Sequence, residues 1–177
     1  MNKETLKTIV KMLENSASKD PTRFHLGCVE ITKEYIQATD GIILSRCKNT
    51  DEHLKDIVGK YYVHRDEIGF LKAVLKNSPY GFIVGVEITE KDIKIEGKKI
   101  TMDVGRYPDV NQFLPNWDAS FEVGLNPELL LKLAVSMGLE PRRNKSQVVK
   151  LSFKDPISPI RVTVDNNEGV LMPMRIG

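Results

Sequence analysis

Basic side chains recur at helical spacing in three parts of the sequence. Residues four apart share one face of a helix, so two predicted helices each present a stripe of lysines. A third helix adds one lysine and is followed by a basic loop. Such stripes are most often solvated surfaces, but they also suit phosphate contacts that do not read bases. The candidate phosphate-contacting residues are Lys3, Lys7, Lys11, Lys72, Lys76, Lys132, Arg142, Arg143 and Lys145.

Six apolar residues and one arginine stand together at positions 170–176. A last core strand would explain this run. Pro173, however, cannot sit in a central ladder, and methionine is an adaptable lining for binding surfaces. An apolar binding groove is therefore the alternative interpretation.

Residues able to support catalysis or to hold a metal are few. The conceivable metal ligands are His25, Cys28, Cys47 and His53. His25 and Cys28 lie three apart in a predicted strand and would point to opposite faces. The sequence has no Cys-x-x-Cys pair, P-loop, Gly-x-Ser-x-Gly or dinucleotide motif. It predicts a protein that is not an enzyme, without metal or cofactor.

The composition is that of a soluble globular protein. The 177 residues are 41% apolar and 28% charged, with a net charge of +2. Any nucleic-acid contact must therefore come from a local patch rather than from a polycation. Two cysteines cannot build a disulfide framework, and no secretory signal or membrane-spanning stretch is visible. A cytoplasmic location without membrane contact is expected.

Three stretches of the sequence share one plan of a helix followed by antiparallel strands. The four residues Val29-Glu30-Ile31-Thr32 recur as Val86-Glu87-Ile88-Thr89, with a weaker copy at 149–152. The predicted fold class is α+β, with three helix-plus-antiparallel-sheet units. One unit cannot cover its own helix and sheet faces, so units must pair. Because three is odd, pairing between chains and hence a homo-oligomer is expected.

Local signals place the individual elements. Asn2, Asp66 and Asn126 are expected to cap the three helices. His64 is expected at a strand end, as a surface residue. Strands are expected at residues 24–32, 35–38, 42–46, 61–63, 82–89, 92–96, 100–104, 121–123, 148–153, 160–164 and 170–174.

Several of these stretches resemble one family in the same order. Residues 170–176 are similar to the carboxyl-terminal signature of the bacterial DNA polymerase III beta subunit, the sliding clamp. Ala38-Thr39-Asp40-Gly41 resembles a turn of that family's middle domain, and residues 105–115 resemble the segment that closes it. Residues 121–127 and the helix after them resemble the second half of the last domain.

The resemblance implies a shortened DNA-clamp fold. Residues 1–115 would form a complete clamp domain like the middle one, and residues 118–177 half a domain. The family's helices face duplex DNA, which suits the basic residues above. Its peptide-binding pocket corresponds to Thr39, Gly41, Ile42, Ile43, Leu44, Pro115, Val170, Leu171, Met172, Pro173, Met174, Arg175 and Ile176. Ile42 and Ile43 stand where the family usually has His-Arg.

Two functions follow from the resemblance. The first is a non-enzymatic, clamp-like protein of DNA replication or repair. It would bind duplex DNA without sequence specificity and tether a polymerase or other proteins that carry clamp-binding motifs. The alternative is an orphan peptide-binding module or decoy, from a phage or mobile element, that binds such motifs without encircling DNA.

Overall fold

The computed structural model describes residues 1–78, 81, 83, 85–114, 121–140 and 146–176. The chain divides into two compact units, Met1–Leu114 and Pro115–Gly177. The helices are α1 Lys3–Asn15, α2 Ile68–Asn77 and α3 Pro127–Ser136. The strands are β1 Cys28–Ile31, β2 Tyr35–Thr39, β3 Leu44–Lys48, β4 Tyr61–His64, β5 Val86–Ile88, β6 Ile93–Ile95, β7 Lys98–Lys99, β8 Thr101–Met102, β9 Val149–Ser152, β10 Ile160–Val164 and β11 Asn167–Leu171.

Helix α1 forms where the sequence predicts it. The Asn2 side chain accepts a hydrogen bond from the Thr5 N–H at 2.7 Å, which satisfies one of the free amides of the first turn. The apolar stripe that contains Leu6, Ile9 and Leu13 is fully buried. The predicted cap at Asn2 is confirmed.

Two antiparallel sheets and two helices share the core of the first unit. The larger sheet has the order β3-β2-β1-β4-β8, and the smaller one has the order β5-β6-β7. Val29 and Ile31 of the central strand β1 pack in one cluster with Leu6, Leu71 and Ile95. The repeated Val-Glu-Ile-Thr segments thus lie in two different sheets, each associated with the same core.

The start of α2 differs from the prediction. Asp66 does not cap the helix, because the residues Arg65–Glu67 form a short 3-10 helix before it. The His64 side chain accepts the hydrogen bond from the Asp66 N–H. His64 is also buried rather than on the surface, and its ring stacks on Phe24 with 4.3 Å between centroids. A Cβ at Gly27 would lie 2.7 Å from the His64 ring, so only glycine at this position leaves space for the buried ring.

Several predicted strands differ from the observed ones. Residues Pro21–Gly27 form a 3-10 helix, so β1 begins only at Cys28 and His25 does not share a strand with it. β3 begins two residues later than expected, because positions 42–43 belong to a turn. Residues 121–123 form no strand. Gly124 makes only an isolated antiparallel bridge to Met174.

In the second unit α3 packs on a three-stranded antiparallel sheet of order β11-β10-β9. Asn126 caps α3 by accepting hydrogen bonds from two backbone N–H groups, and Pro127 occupies the first turn. Both features were predicted. Ile160 and Val162 of the central strand are buried under Leu133 of the helix. β11 ends at Leu171, so the predicted strand at 170–174 is only partly formed.

The two thiols should differ strongly in reactivity. Cys28 is buried, and burial, helped by the Asp66 charge, raises its pKa to about 12, whereas Cys47 is exposed. Because the thiolate is the nucleophile, a disulfide reagent at about pH 8 should modify Cys47 alone in the folded protein, and both thiols in denaturant. Absorbance of the released thiol measures this. Cys47→Ser should abolish the fast reaction, and a second fast thiol would contradict the burial of Cys28.

Within the described part of the chain, the helices are too short or too polar to cross a bilayer. The same residues contain no group of three or more His, Cys, Asp or Glu side chains placed to share a metal ion.

Candidate functional site

The first unit has an apolar groove of about 500 Å³ at the end of β2 and the start of β3. Five predicted pocket residues lie together there. The groove also includes residues that the sequence did not single out for it. It is lined by His25, Leu26, Thr39, Gly41, Ile42, Ile43, Leu44, Pro108 and Val110.

Hydrogen bonds within a tight turn hold the isoleucines of this groove at the surface. The Asp40 carboxylate accepts from the N–H groups of Ile42 at 2.8 Å and Ile43 at 2.9 Å. These bonds, from Ile43 first and then Ile42, lower the pKa of Asp40. The Thr39 hydroxyl accepts from the Gly41 N–H and donates to the Ile43 carbonyl. Ile42 is consequently 89% exposed. Exposure of this apolar side chain to water is unfavourable, and a partner that covers it would gain binding free energy.

The other wall of the groove depends on a row of buried and half-buried polar side chains. Glu30 on β1 is 1% exposed and accepts hydrogen bonds from Gln37 on β2 and from the Tyr62 hydroxyl on β4, the latter at 3.1 Å. Arg46 on β3 donates to Gln37 at 2.6 Å and to Asn111 at 2.8 Å. We name Glu30, Gln37, Arg46 and Tyr62 the polar row.

The polar row ties the segment after β8 to the sheet. Asn111 lies next to Val110, and the Tyr107 ring packs against Tyr62 with 5.3 Å between centroids. Burial, followed by the charge of Glu30, raises the pKa of both tyrosines, so both stay neutral. Pro108 and Val110 are thereby placed beside the turn at residues 40–43. The sequence did not reveal this, because a glutamate between two apolar strand residues normally indicates an exposed position.

The second unit has its own groove, of about 810 Å³, around its last residues. Five of the predicted pocket residues, 172–176, line it, together with three residues not predicted. The lining is Glu122, Pro156, Ile157, Met172, Pro173, Met174, Arg175 and Ile176. Of the other predicted pocket residues, Leu171 is buried in the core of the unit and Val170 is exposed on β11 outside this groove. Pro115 lies outside the described residues.

Two local features present these apolar side chains to solvent. The Met174 N–H donates to the Gly124 carbonyl at 2.9 Å, which fixes the segment after β11. The Asp155 carboxylate accepts from the Ile157 N–H at 3.0 Å and from Ser158, and the Ser158 bonds lower its pKa most. Ile157, Met172, Met174 and Ile176 are all more than half exposed as a result.

The predicted DNA-contacting lysines differ in their partners. Lys3 donates to the Ser78 carbonyl, Lys7 pairs with Glu4, and Lys72 pairs with Glu14 at 2.5 Å. Lys11, Lys76 and Lys132 are exposed, and no ion pair to them is formed by the residues that the structure describes. Exposed ion pairs contribute about 0–1 kcal/mol to stability, so a DNA phosphate can replace Glu4 at Lys7 or Glu14 at Lys72. Arg142, Arg143 and Lys145 lie outside the described residues.

Comparison with known proteins identifies the fold. No family model and no curated protein matches the sequence. Among solved structures, the Caulobacter crescentus pol III beta is 17% identical with a TM-score of 0.69, over 100% of this chain and 50% of that one. The Bacillus subtilis DNA polymerase sliding clamp is 22% identical with a TM-score of 0.67, over 97% and 47%.

A third solved structure, DNA polymerase III beta subunit from Thermotoga maritima, is 16% identical with a TM-score of 0.64, over 98% of this chain and 49% of that one. The chain thus spans about half the length of these three proteins. The predicted α+β, clamp-like fold class is confirmed. The assignment of the two units to a complete and a half clamp domain remains a prediction. Nearly all of this chain has the fold of the bacterial DNA polymerase III beta sliding clamps.

Proposed function

We propose that this chain is a non-enzymatic, clamp-like protein of DNA replication or repair that binds short apolar peptide segments of partner proteins. A polymerase or another protein with a clamp-binding motif is the proposed partner. In this proposal the protein also contacts duplex DNA, weakly and without sequence specificity, and thereby holds the partner near the duplex.

One observation carries the peptide-binding proposal. Each unit contains a groove whose lining includes strongly exposed apolar side chains, Ile42 in one and Met174 in the other. The backbone N–H of each donates a hydrogen bond that holds it there, to the Asp40 carboxylate and to the Gly124 carbonyl respectively. Burying one such side chain fully against a partner contributes about 1.5–3 kcal/mol. Flexible methionines and rigid isoleucines around a groove suit peptides with large apolar side chains.

A second candidate is a peptide-binding module that does not encircle DNA. The observation that favours it is the engagement of Lys3, Lys7 and Lys72 within the chain itself, which leaves fewer free cations on the helices. α1 carries three lysines against two glutamates, whereas α2 carries two lysines and no acidic residue. Peptide binding is common to both candidates, and DNA binding separates them.

Peptide binding is tested by fluorescence anisotropy with a labelled decapeptide that contains neighbouring Leu and Phe side chains. A peptide with Ser at both positions is the reference. We expect Met174→Asp and Ile43→Asp each to weaken binding about tenfold or more, because each places a charge in a desolvated contact. Val148→Asp, also at an exposed apolar residue but outside both grooves, should leave affinity unchanged. Equal binding of the two peptides would contradict the proposal.

DNA binding is tested with a labelled duplex over a range of salt concentrations. Binding is expected at low salt and should weaken steeply as salt is added, because phosphate contacts release counterions. The double variant Lys11→Ala with Lys76→Ala should lower the affinity and flatten the salt slope by about 2. Lys33→Ala with Lys91→Ala removes the same charge from two hairpin turns and should change the affinity less. No binding at low salt would favour the peptide-binding module.

A further inference from the structure

The first unit has a second cavity, of about 520 Å³, which neither candidate function uses. It lies between the segment that precedes β4 and the turn that joins β5 to β6. Ile57, Ile88 and the buried Tyr61 are part of its lining, and the Tyr61 hydroxyl donates to the Thr89 carbonyl at 2.6 Å. Its described lining residues all differ from those of the groove at residues 39–44. We name this cavity the Tyr61 pocket.

The second copy of the Val-Glu-Ile-Thr repeat builds one wall of the pocket. Ile31 of the first copy is fully buried in the core, whereas Ile88, its counterpart, is half-buried and lines the pocket. The Thr89 hydroxyl accepts a hydrogen bond from the Asp92 N–H at 3.0 Å, which fixes the turn after β5. Glu90, the next residue in this turn, is thereby held at the edge of the pocket.

The opposite wall combines a carboxylate with an exposed apolar side chain. The buried Asp51 carboxylate accepts from the His53 N–H at 3.0 Å, so this wall begins at a fixed point. Ile57 is buried and anchors the wall, while Asp56 and Val58 on either side of it are exposed. Val58 is 76% exposed, so an apolar group of a ligand that covers it would gain binding free energy.

The charges that line the pocket are negative and unpaired. Among the described residues, the lining contains the carboxylates of Asp56 and Glu90 but no lysine or arginine. Within the same part of the chain neither carboxylate has a hydrogen-bond or ion-pair partner, and Lys55, beside Asp56, pairs with another carboxylate. Burial, followed by the charge of Glu90, raises the pKa of Tyr61. The Glu90 charge therefore acts on the interior of the pocket.

We propose that the Tyr61 pocket binds a lysine or arginine side chain in a peptide segment of a partner protein, with an apolar neighbour of that side chain on Val58. The aliphatic stem of the basic side chain lies against Ile88, and its charged group is attracted by Asp56 and Glu90. This site differs in specificity from the two apolar grooves and does not depend on them.

The shape of the pocket favours a peptide segment over a free amine. Sites for small molecules bury most of the ligand surface. This pocket is open along one side, because five of its lining residues are exposed, namely His53, Asp56, Val58, Thr89 and Glu90. A side chain can enter from that side while its peptide backbone stays outside, where neighbouring residues add contacts.

Heteronuclear NMR titration of the whole chain with a decapeptide that carries one arginine next to one leucine tests the proposal. We expect the largest shift changes at the amides of Val58, Thr89 and Glu90. The same peptide with citrulline, which keeps the shape of arginine without its charge, should bind about tenfold more weakly. Equal affinity of the two peptides, or shift changes confined to the apolar grooves, would overturn the proposal.

Neutral variants test the two carboxylates. Asp56→Asn and Glu90→Gln should each weaken binding about two- to fivefold, as expected for exposed ion pairs. Glu34→Gln is the matched control, because Glu34 is exposed in the equivalent turn after the first copy of the repeat and its replacement changes the net charge equally. An equal effect of Glu34→Gln would mean that net charge alone attracts the peptide, and the proposal would fail.

Two further comparisons identify the occupant and separate this site from the apolar grooves. Free n-butylguanidine has the stem and charged group of arginine but no apolar neighbour, so it should bind about tenfold more weakly than the arginine peptide. Equal affinity would indicate a small-molecule site instead. The double variant Ile43→Asp with Met174→Asp, which disables both grooves, should bind the arginine peptide no more weakly. Loss of binding in this variant would place the peptide in a groove and overturn the proposal.

Discussion

Glu30→Ala should lower the free energy of unfolding of the first unit by about 2–4 kcal/mol. The Glu30 carboxylate is 1% exposed, and its removal leaves the Gln37 amide and the Tyr62 hydroxyl without their acceptor inside the sheet. Unsatisfied buried groups cost about 1–3 kcal/mol each. Lys60, whose ammonium lies 3.1 Å from the carboxylate, is largely solvated and contributes less.

Urea denaturation followed by hydrogen-exchange mass spectrometry measures this loss, because it reports the two units separately. Glu30→Gln keeps the side-chain volume and a carbonyl acceptor, so its effect should be smaller. Glu34→Ala, on an exposed hairpin turn, should change stability by about 0.5 kcal/mol or less. Equal stability of Glu30→Ala and Glu34→Ala would mean that the polar row does not stabilise the sheet.

Glu30→Ala should also weaken peptide binding to the groove of the first unit. Arg46 joins the polar row to Asn111, which is next to the groove residue Val110. Without the Glu30 carboxylate the polar row would be disordered, and the groove wall at Val110 would be mobile. Binding of a peptide would then have to order this wall, which makes the binding free energy less favourable.

Gly124→Ala should abolish most of the peptide affinity of the second unit while its helix content is retained. A Cβ at position 124 would lie 2.7 Å from the Met174 carbonyl oxygen and 3.0 Å from the Ile176 side chain. The backbone oxygen belongs to the residue whose N–H donates to the Gly124 carbonyl, so a displacement of this oxygen strains that hydrogen bond. Overpacking of this kind costs about 1–3 kcal/mol. Segment 172–176, which lines the groove, would be displaced.

Anisotropy titration with the apolar decapeptide measures the effect, and far-UV circular dichroism checks the fold. Gly138→Ala is the matched control. Gly138 has φ +100° at the end of α3, so alanine there is strained, but a Cβ meets no atom within 4 Å and leaves the groove untouched. Gly138→Ala should thus lose stability and keep its affinity. Unchanged affinity of Gly124→Ala would show that the bridge does not position the groove.

Much of the secondary structure follows from short-range interactions and was predictable. The Asn2 and Asn126 caps and the apolar stripe of α1 involve residues within one or two helical turns. The incorrect predictions have long-range causes. His64 caps the turn before α2 only because Gly27, far away in sequence, leaves space for its ring. Residues 121–123 have the composition of a strand but no neighbouring strand to pair with in the described part of the chain. Only Gly124, next to them, forms a single bridge.

The candidate grooves were only half predictable. The turn at Asp40-Gly41 and the apolar run at 172–176 are continuous in sequence, and both lie in grooves. Pro108, Val110 and Ile157 join them through folding alone.

The sequence by itself determined the α+β class, the helix positions and the apolar segments, because hydrophobic periodicity and capping act between near neighbours. Tertiary structure alone decided which charged residues are buried and which apolar residues remain exposed. Glu30 became the centre of a polar row because four strands and the segment after β8 place its partners around it. Leu131 stays exposed because its side of α3 faces away from β9–β11. Burial depends on distant parts of the chain, and no local pattern records it.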